Sequence, residues 1–379
     1  MRVAIVSITR THLLNLAIAL EKKKDVDVVF YTLSPKYRLR KFGYTGKIVS
    51  CFFPVGIAMY VVKILTSRLG FKKRLIIGHK FRKWFDQWMS LLIKPCDILI
   101  GANGDACYTS QKAKIKFNPI IICDQGTVHI KEQDATYKRN GVFINPWNTQ
   151  NLTSHYRLAD FIMTASYHMK KTDKKYGIIE DKILYNPYGV NLEVFKDVQS
   201  QIKYDVVFVG SWSLIKGCDI LESSCRKNHL SLLHLGQIGD IEFPNDELFT
   251  HAGFVPETEL PRYLAQAKVF VLPSRNDGFG MVLLQAAACG LPVVGSTRTG
   301  MCDLIELLES PSGCSLIDEP LSEETISDAL LSLLNNSELS GNNYRVCYEN
   351  RRNLSWEAYG ERYYKILIRI FNNGRYDKI

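Results

Sequence analysis

The stretch KVFVLPSRNDGFGMVLLQAAACGLPVV, residues 268–294, decides the fold. An apolar strand pattern comes first, then a polar loop, then an alanine-rich helical run that ends before a second apolar strand. Gly278 and Gly280 permit a close backbone approach in the loop. The amides from Phe279 to Val282 open the helix, and amides at a helix N-terminus bind anions. The stretch predicts a phosphate-binding strand-loop-helix unit, with an ordinary packed unit as the alternative.

The alternation of strands and helices continues on both sides of this stretch. One series fills residues 1–190, the pattern pauses in the polar link NLEVFKDVQSQIKY, and a second series fills residues 198–356. A chain of 379 residues suits two domains. Strands that alternate with helices indicate parallel sheets. We therefore predict an α/β fold with two Rossmann-like, doubly wound domains that face a cleft, where ligands bind at the carboxyl ends of strands.

Cysteines and apolar runs restrict the compartment. The ten cysteines include no CxxC pair and no histidine at metal-ligand spacing, so we expect buried free thiols in a reducing cytoplasm. The N-terminal MRVAIVSITR has too few apolar residues for a signal peptide. The longest apolar run, Ile48 to Val62, has 15 residues and contains Pro54, whereas a membrane span needs about 20. We expect a cytoplasmic protein without a span.

The net charge of +10 is concentrated in one segment. Residues 36–94 contain 14 lysines and arginines against a single acid, Asp86, and aromatic residues such as Trp84 and Trp88 lie among them. This pattern suits an anionic membrane surface. Solvated charge on core helices is the alternative. We expect no nucleic-acid partner, because no recognition motif accompanies the charge.

The stretch at residues 268–294 resembles the C-terminal domain of retaining glycosyltransferases of GT-B architecture, family 4 or group 1, whose signature is EGFG followed by EAxACGxPVV. Four further segments are similar to that family. They are YNPYGVNLEVF (185–195), VVFVGSWSLIKGCDIL (206–221), HAGFVPETELPRYLAQAKVFVLPS (251–274) and LSWEAYGERYYKIL (354–367). The last resembles the family's C-terminal helix, which implies that residues 357–379 cross back onto the first domain. The N-terminal half is similar in pattern only.

The resemblance implies a donor site with departures from the family. Lys216 falls where the family has a lysine on the donor diphosphate, but Ser211 replaces the arginine that follows the strand glycine, Gly210. The helix amides and Lys216, or another basic residue, must then carry more of the phosphate charge. The family's two glutamates fall on Asp277 and Gln285, and Gln285 keeps an acceptor oxygen for ribose hydroxyls.

The implied site residues extend into the first half. His129 in CDQGTVHIKEQ falls in a loop that the family places near the donor sugar, and Asp124 lies at the same strand end. Ser166 is expected to cap a helix. A loop at residues 9–12 replaces the family's glycine pair. Donor binding is assigned to Gly210, Ser211, Lys216, Val255, Ser274, Asp277, Gly278, Phe279, Gly280, Met281 and Gln285, and catalysis to His129, Lys216 and Asp277.

The resemblance implies a glycosyltransferase that moves a sugar from a nucleotide-sugar to a glycan acceptor with retention of configuration. The acceptor is expected to be lipid-linked, in lipopolysaccharide or capsule synthesis, and the protein to lie peripherally on the inner face of the plasma membrane. No cofactor and no metal are expected; the Asp25-Val26-Asp27 spacing is interpreted as chance. A nucleotide-sugar epimerase or phosphorylase on the same fold, and an inactive partner subunit, are the alternatives.

Overall fold

The computed structural model describes residues 1–9, 11–65, 71–141, 146–309, 312–336, 345–346 and 348–376. Arg10, Arg68 and residues 377–379, which fall in segments singled out above, lie outside the described residues. So do the side chains of Lys72, Lys73 and Arg74 in the basic segment.

The first half forms a seven-stranded parallel sheet in the order β3-β2-β1-β4-β5-β6-β7. Its elements are β1 (Arg2–Val6), α1 (His12–Glu21), β2 (Asp27–Thr32), α2 (Lys36–Lys41), β3 (Lys47–Ser50), α3 (Ile57–Leu65), α4 (Phe71–Leu92), β4 (Ile98–Ala102), α5 (Cys107–Phe117), β5 (Ile120–Asp124), α6 (Ile130–Arg139), α7 (Pro146–Leu158), β6 (Phe161–Thr164), α8 (Tyr167–Lys175) and β7 (Ile183–Tyr185). The strand order reverses between β1 and β4, so the loops after these strands diverge and leave a crevice.

The second half forms a six-stranded parallel sheet in the order β10-β9-β8-β11-β12-β13. Its elements are β8 (Tyr204–Val209), α9 (Cys218–Lys227), β9 (Leu232–Leu235), β10 (Phe249–His251), α10 (Leu260–Leu264), β11 (Ala267–Leu272), α11 (Met281–Ala288), β12 (Val293–Ser296), α12 (Met301–Leu308), β13 (Cys314–Ile317) and α13 (Glu323–Leu334). The order reverses between β8 and β11. The predicted α/β fold with two doubly wound sheets is confirmed.

A last helix, α14 (Trp356–Tyr376), returns to the first half. Gly360 lies so close to Ala19 of α1 that a Cβ on Gly360 would overlap it. Lys22 binds Glu357 at 3.1 Å. The chain crosses between the halves twice at adjacent points, because Val190 pairs with Ser355 in an isolated bridge. The two crossings and α14 fix where the carboxyl ends of the two sheets meet.

The strands are buried because helices cover both faces of each sheet. Val3, Ile5, Ile98, Val207 and Phe270 are completely buried. The continuous apolar runs of the sequence thus become central strands, as expected for parallel sheets. The nine described cysteines are free. No helix within the described ranges is both long and apolar enough to cross a membrane.

Candidate functional site

The loop between β11 and α11 is built around two glycines. Gly280 caps α11 with φ +79°, and a Cβ there would overlap the Leu272 side chain, so a larger residue would be strained. A Cβ on Gly278 would lie 2.8 Å from Thr127 Cα and 3.0 Å from the Gly126 carbonyl oxygen of the first half. Gly278 therefore lets the two halves touch at this loop.

Lys216, in the loop between β8 and α9, contacts Asp277, in the loop between β11 and α11. The Lys216 ammonium contacts the Asp277 carboxylate, and both side chains are partly buried. The Asp277 amide donates to the Arg298 carbonyl at 3.0 Å. Gly217, with φ +74°, lies against the Pro273 carbonyl, so the loops after β8 and β11 pack together. The structure thus joins two predicted site residues that are 61 positions apart in the chain.

A second cation lies at the same loops. The Arg275 guanidinium binds the Asp219 carboxylate through two hydrogen bonds of 2.6 and 2.7 Å. The Arg275 amide donates to the Ile215 carbonyl at 2.8 Å. Arg275 is therefore a second cation near the loop that contains Ser211, where the family has an arginine, but a carboxylate already binds it.

Two predicted donor residues keep free hydrogen-bonding capacity. The Ser274 hydroxyl is buried and has no partner among the described residues. Gln285 is half-buried on α11, five residues after Gly280. An unsatisfied buried hydroxyl costs free energy, and a polar ligand would remove that cost.

A pair of hydrogen-bonded histidines, His234 and His251, fixes the start of the loop after β8. The His234 ring donates from Nε2 to the Gly210 carbonyl at 2.9 Å. The Nδ1 atoms of His234 and His251 are 2.9 Å apart. Because Nε2 of neutral His234 carries the proton, its Nδ1 accepts from His251. Burial lowers the His234 pKa to about 4, which keeps that ring neutral. Val255 follows β10 and is half-buried.

The first half contributes a hydrogen-bond network around the buried Asp124, whose members are far apart in the sequence. The His12 ring donates from Nε2 to the Asp124 carboxylate at 2.5 Å. Tyr363 of α14 donates to the other Asp124 oxygen at 3.1 Å. The His12 ring also contacts the Tyr188 ring at a tilt of 40°, with the centroids 4.6 Å apart. The Tyr188 centroid lies 5.5 Å from that of Phe279 in the loop between β11 and α11, the candidate donor loop. His12 and Asp124 are thus only two ring contacts from that loop.

The start of α8 clasps the donor loop from the first half. Ser166 caps α8 as predicted, because its hydroxyl accepts from the Met169 amide at 3.1 Å. The same hydroxyl donates to the Gly278 carbonyl at 2.5 Å. His168 donates from Nε2 to the Asn276 side-chain oxygen at 2.9 Å. The residues on both sides of Asp277 are therefore held by the other half of the molecule.

A buried carboxylate of the second half, Asp303, makes further hydrogen bonds to the first half. Asp303 of α12 accepts from the Tyr185 hydroxyl at 2.7 Å and from the Tyr167 amide at 2.9 Å. Burial raises the pKa of Asp303 to about 6, against the pull of these two donors. The contact between the halves includes a carboxyl that gains its proton more easily than a surface aspartate.

His129 is enclosed by aromatic side chains. Its ring is buried and stacked between Tyr156 and Tyr176, with centroids 4.8 and 4.9 Å away. Its Nδ1 accepts from the Lys131 amide at 3.3 Å, so it caps α6. Burial lowers the His129 pKa to about 4. The environment explains a structural role, and a role on the donor sugar stays a prediction.

No group of three histidine, cysteine or acidic side chains within the described ranges is placed to hold a metal ion. Sequence reasoning missed two residues of this candidate site, His168 and Arg275, whose partners are distant in the sequence. It named Asp124 as a strand-end residue and placed His12 in the loop at residues 9–12, but it did not pair them.

Comparison with known proteins gives a family match within the second half of the chain. Residues 241–353 match the family model described as glycosyl transferases group 1, and these residues include the loop from Ser274 to Gln285. The chain is 30% identical over 162 residues, 38% of its length, to an uncharacterized 41.2 kDa protein in the cps region of Klebsiella pneumoniae. It is 34% identical over 84 residues, 22% of its length, to an O-antigen chain mannosyltransferase B of Escherichia coli.

These matches cover less than half of the two curated relatives, 45% and 20% of their lengths. The fold is similar over nearly the whole chain to a solved structure of Anabaena HepE in complex with UDP-glucose. The TM-score is 0.63 with 12% identity, and the match covers 97% of this chain and 99% of the other. The predicted GT-B architecture is confirmed.

Proposed function

We propose that this chain, whose residues 241–353 match the family model of glycosyl transferases group 1, transfers a sugar from a nucleotide-sugar to a glycan acceptor. The observation that carries this proposal is the joined loop pair in which Lys216 meets Asp277 at the N-terminus of α11. The relatives from a cps region and from O-antigen synthesis support a role in cell-surface polysaccharide, as lipopolysaccharide or capsule.

The donor diphosphate would lie at the N-terminus of α11. The amides of Met281 and Val282 and the positive end of the helix dipole bind anions there. Lys216 would leave Asp277 and move to the diphosphate, because a diphosphate carries more negative charge than one carboxylate. The ammonium then stabilises the charge that develops on the leaving nucleotide. Asp277 becomes free to accept from hydroxyls of the sugar.

The remaining donor contacts follow from position. Gln285 lies farther along α11, where its amide can hydrogen-bond the ribose hydroxyls. The loop from Gly253 to Val255 would hold the base, and Ser274 offers its unpaired hydroxyl. We infer retention of configuration from the family resemblance alone. We expect neither metal nor cofactor, since lysine and helix amides supply the positive charge.

The acceptor would enter from the first half, and we propose that it is lipid-linked. Helices α3 and α4 expose apolar side chains, with Ile64 56%, Trp84 53% and Leu91 64% accessible. Lys80 is exposed beside them. An apolar face flanked by cations binds anionic lipid surfaces. We therefore propose a cytoplasmic protein that lies peripherally on the inner face of the plasma membrane through residues 36–94.

Two measurements test the enzyme proposal. A thermal-shift screen of UDP-, GDP- and ADP-sugars should give one donor that raises the unfolding midpoint, because a ligand that binds only the folded state stabilises it. Release of the nucleoside diphosphate should then require acceptor, and EDTA should not reduce it. Failure of every donor to bind would refute the proposal. Turnover of the donor without acceptor would instead indicate an epimerase or phosphorylase.

A further inference from the structure

A cavity of about 400 Å³ lies between the two halves, beside the donor loop. Helices α6 and α8 of the first half form one wall, and the loops after β11 and β12 form the other. His168 lines the cavity and holds Asn276, and Arg298 lines it and holds the Asp277 amide. The cavity thus shares a wall with the loop that would face the transferred sugar.

The lining of this cavity carries an excess of positive charge. Its cations are Arg139, Lys171, Lys175, Arg275 and Arg298. The carboxylates that pair with them are Glu132, Glu319 and Asp219. Glu132 serves two cations at once, with Lys175 at 2.6 Å and Arg139 at 3.6 Å. Burial lowers the pKa of His168, so its ring adds no charge near neutral pH. About two positive charges remain unbalanced.

Lys171 contributes to this excess of positive charge with an exposed side chain. It is exposed and lines the cavity, and its ammonium has no hydrogen bond or ion pair with a described residue. Lys174 on the same helix differs, because it binds Glu180 at 2.8 Å and does not line the cavity. A lysine without a carboxylate partner at the mouth of a basic cavity is available for a ligand.

We propose that this cavity binds a phosphate group carried by the acceptor. The proposal rests on the proposed function, since it places the phosphate beside the donor loop, where the acceptor must lie. A phosphate with about two negative charges matches the unbalanced charge. Guanidinium groups such as those of Arg139 and Arg298 bind phosphate through paired hydrogen bonds. The Arg298 pair with Glu319 is partly exposed and hence weak enough to be rearranged.

Binding of inorganic pyrophosphate to the full chain tests this site by isothermal titration calorimetry. The donor site is first filled with a saturating concentration of the nucleoside diphosphate found in the donor screen. Pyrophosphate should still bind. Lys171→Glu should weaken this binding about tenfold or more, because it reverses a charge at the cavity. The matched Lys174→Glu, on the same helix but outside the cavity, should change it less than about twofold.

Two results would overturn the proposal: no binding of pyrophosphate once the nucleotide is present, or equal weakening by the two substitutions. If no nucleoside diphosphate binds, the proposed function fails, and the Lys171 and Lys174 pair still tests the cavity without nucleotide. Sedimentation with phosphatidic acid vesicles identifies the source of the phosphate. Weaker vesicle binding by Lys171→Glu than by Lys174→Glu assigns it to a lipid, because both variants keep residues 36–94, and equal vesicle binding by the two variants assigns it to the glycan.

Discussion

The two sides of the cleft are built in opposite ways. On the second half, the residues from Ser274 to Gln285 form one continuous segment whose glycines and helix start form the candidate donor site. On the first half, His12, Asp124 and Tyr363 come from three distant parts of the chain. A local site is visible in the sequence and separable from the core, whereas a dispersed site is also part of what holds the fold together.

The largest expected effect is on the local side. Lys216→Ala should reduce kcat by about 100- to 1000-fold, because it removes the cation that we propose stabilises the leaving diphosphate. It should leave the thermal unfolding midpoint within about 2 °C, since the side chain is only partly buried. Lys227→Ala, at an exposed pair with Glu323, is the control and should keep full activity. A large fall in the stability of Lys216→Ala would contradict the view that the local site is separable from the core.

The dispersed side should show the reverse pattern. Asp124→Ala leaves the partly buried His12 and the buried Tyr363 donors without an acceptor, which should cost about 2 to 3 kcal/mol of stability. Tyr363→Phe, which removes a single bond, should cost about 1 kcal/mol. Both are measured as shifts of the unfolding midpoint in the absence of donor. Equal midpoints for the two variants would mean that the His12 bond does not contribute.

The clasp at α8 joins the two sides and gives a smaller effect. His168→Ala should reduce kcat about tenfold with donor affinity nearly unchanged, because Asn276 and the adjacent Asp277 lose their fixed position. His168→Gln keeps a donor nitrogen and should recover most of the rate. The readout is kcat together with the donor dissociation constant. If glutamine does not restore activity, His168 acts through something other than this hydrogen bond.

The sequence predicts the features of this molecule that adjacent residues encode, and it does not predict the contacts between residues that are distant in the chain. Alternating strand and helix patterns were enough for the fold class, because each element is specified within about ten residues. The cap at Ser166 was also local and is confirmed. Its second bond, to Gly278, joins residues 112 positions apart, and no local pattern encodes it. For the same reason His129 was singled out by its position after a strand, although the fold buries it between two tyrosines.

The smallest expected effect concerns the departure from the family signature. Gln285→Glu restores the family's charged acceptor, and a hydrogen bond to a charged group is stronger than a neutral one by roughly 1 kcal/mol. Donor affinity should therefore stay the same or improve by up to about fivefold, as measured by calorimetry. Gln285→Leu, which is similar in size but has no polar atoms, should weaken it. A collapse of affinity in Gln285→Glu would mean that the amide donor itself is required. The local site would then be specialised for a donor that the family signature does not describe.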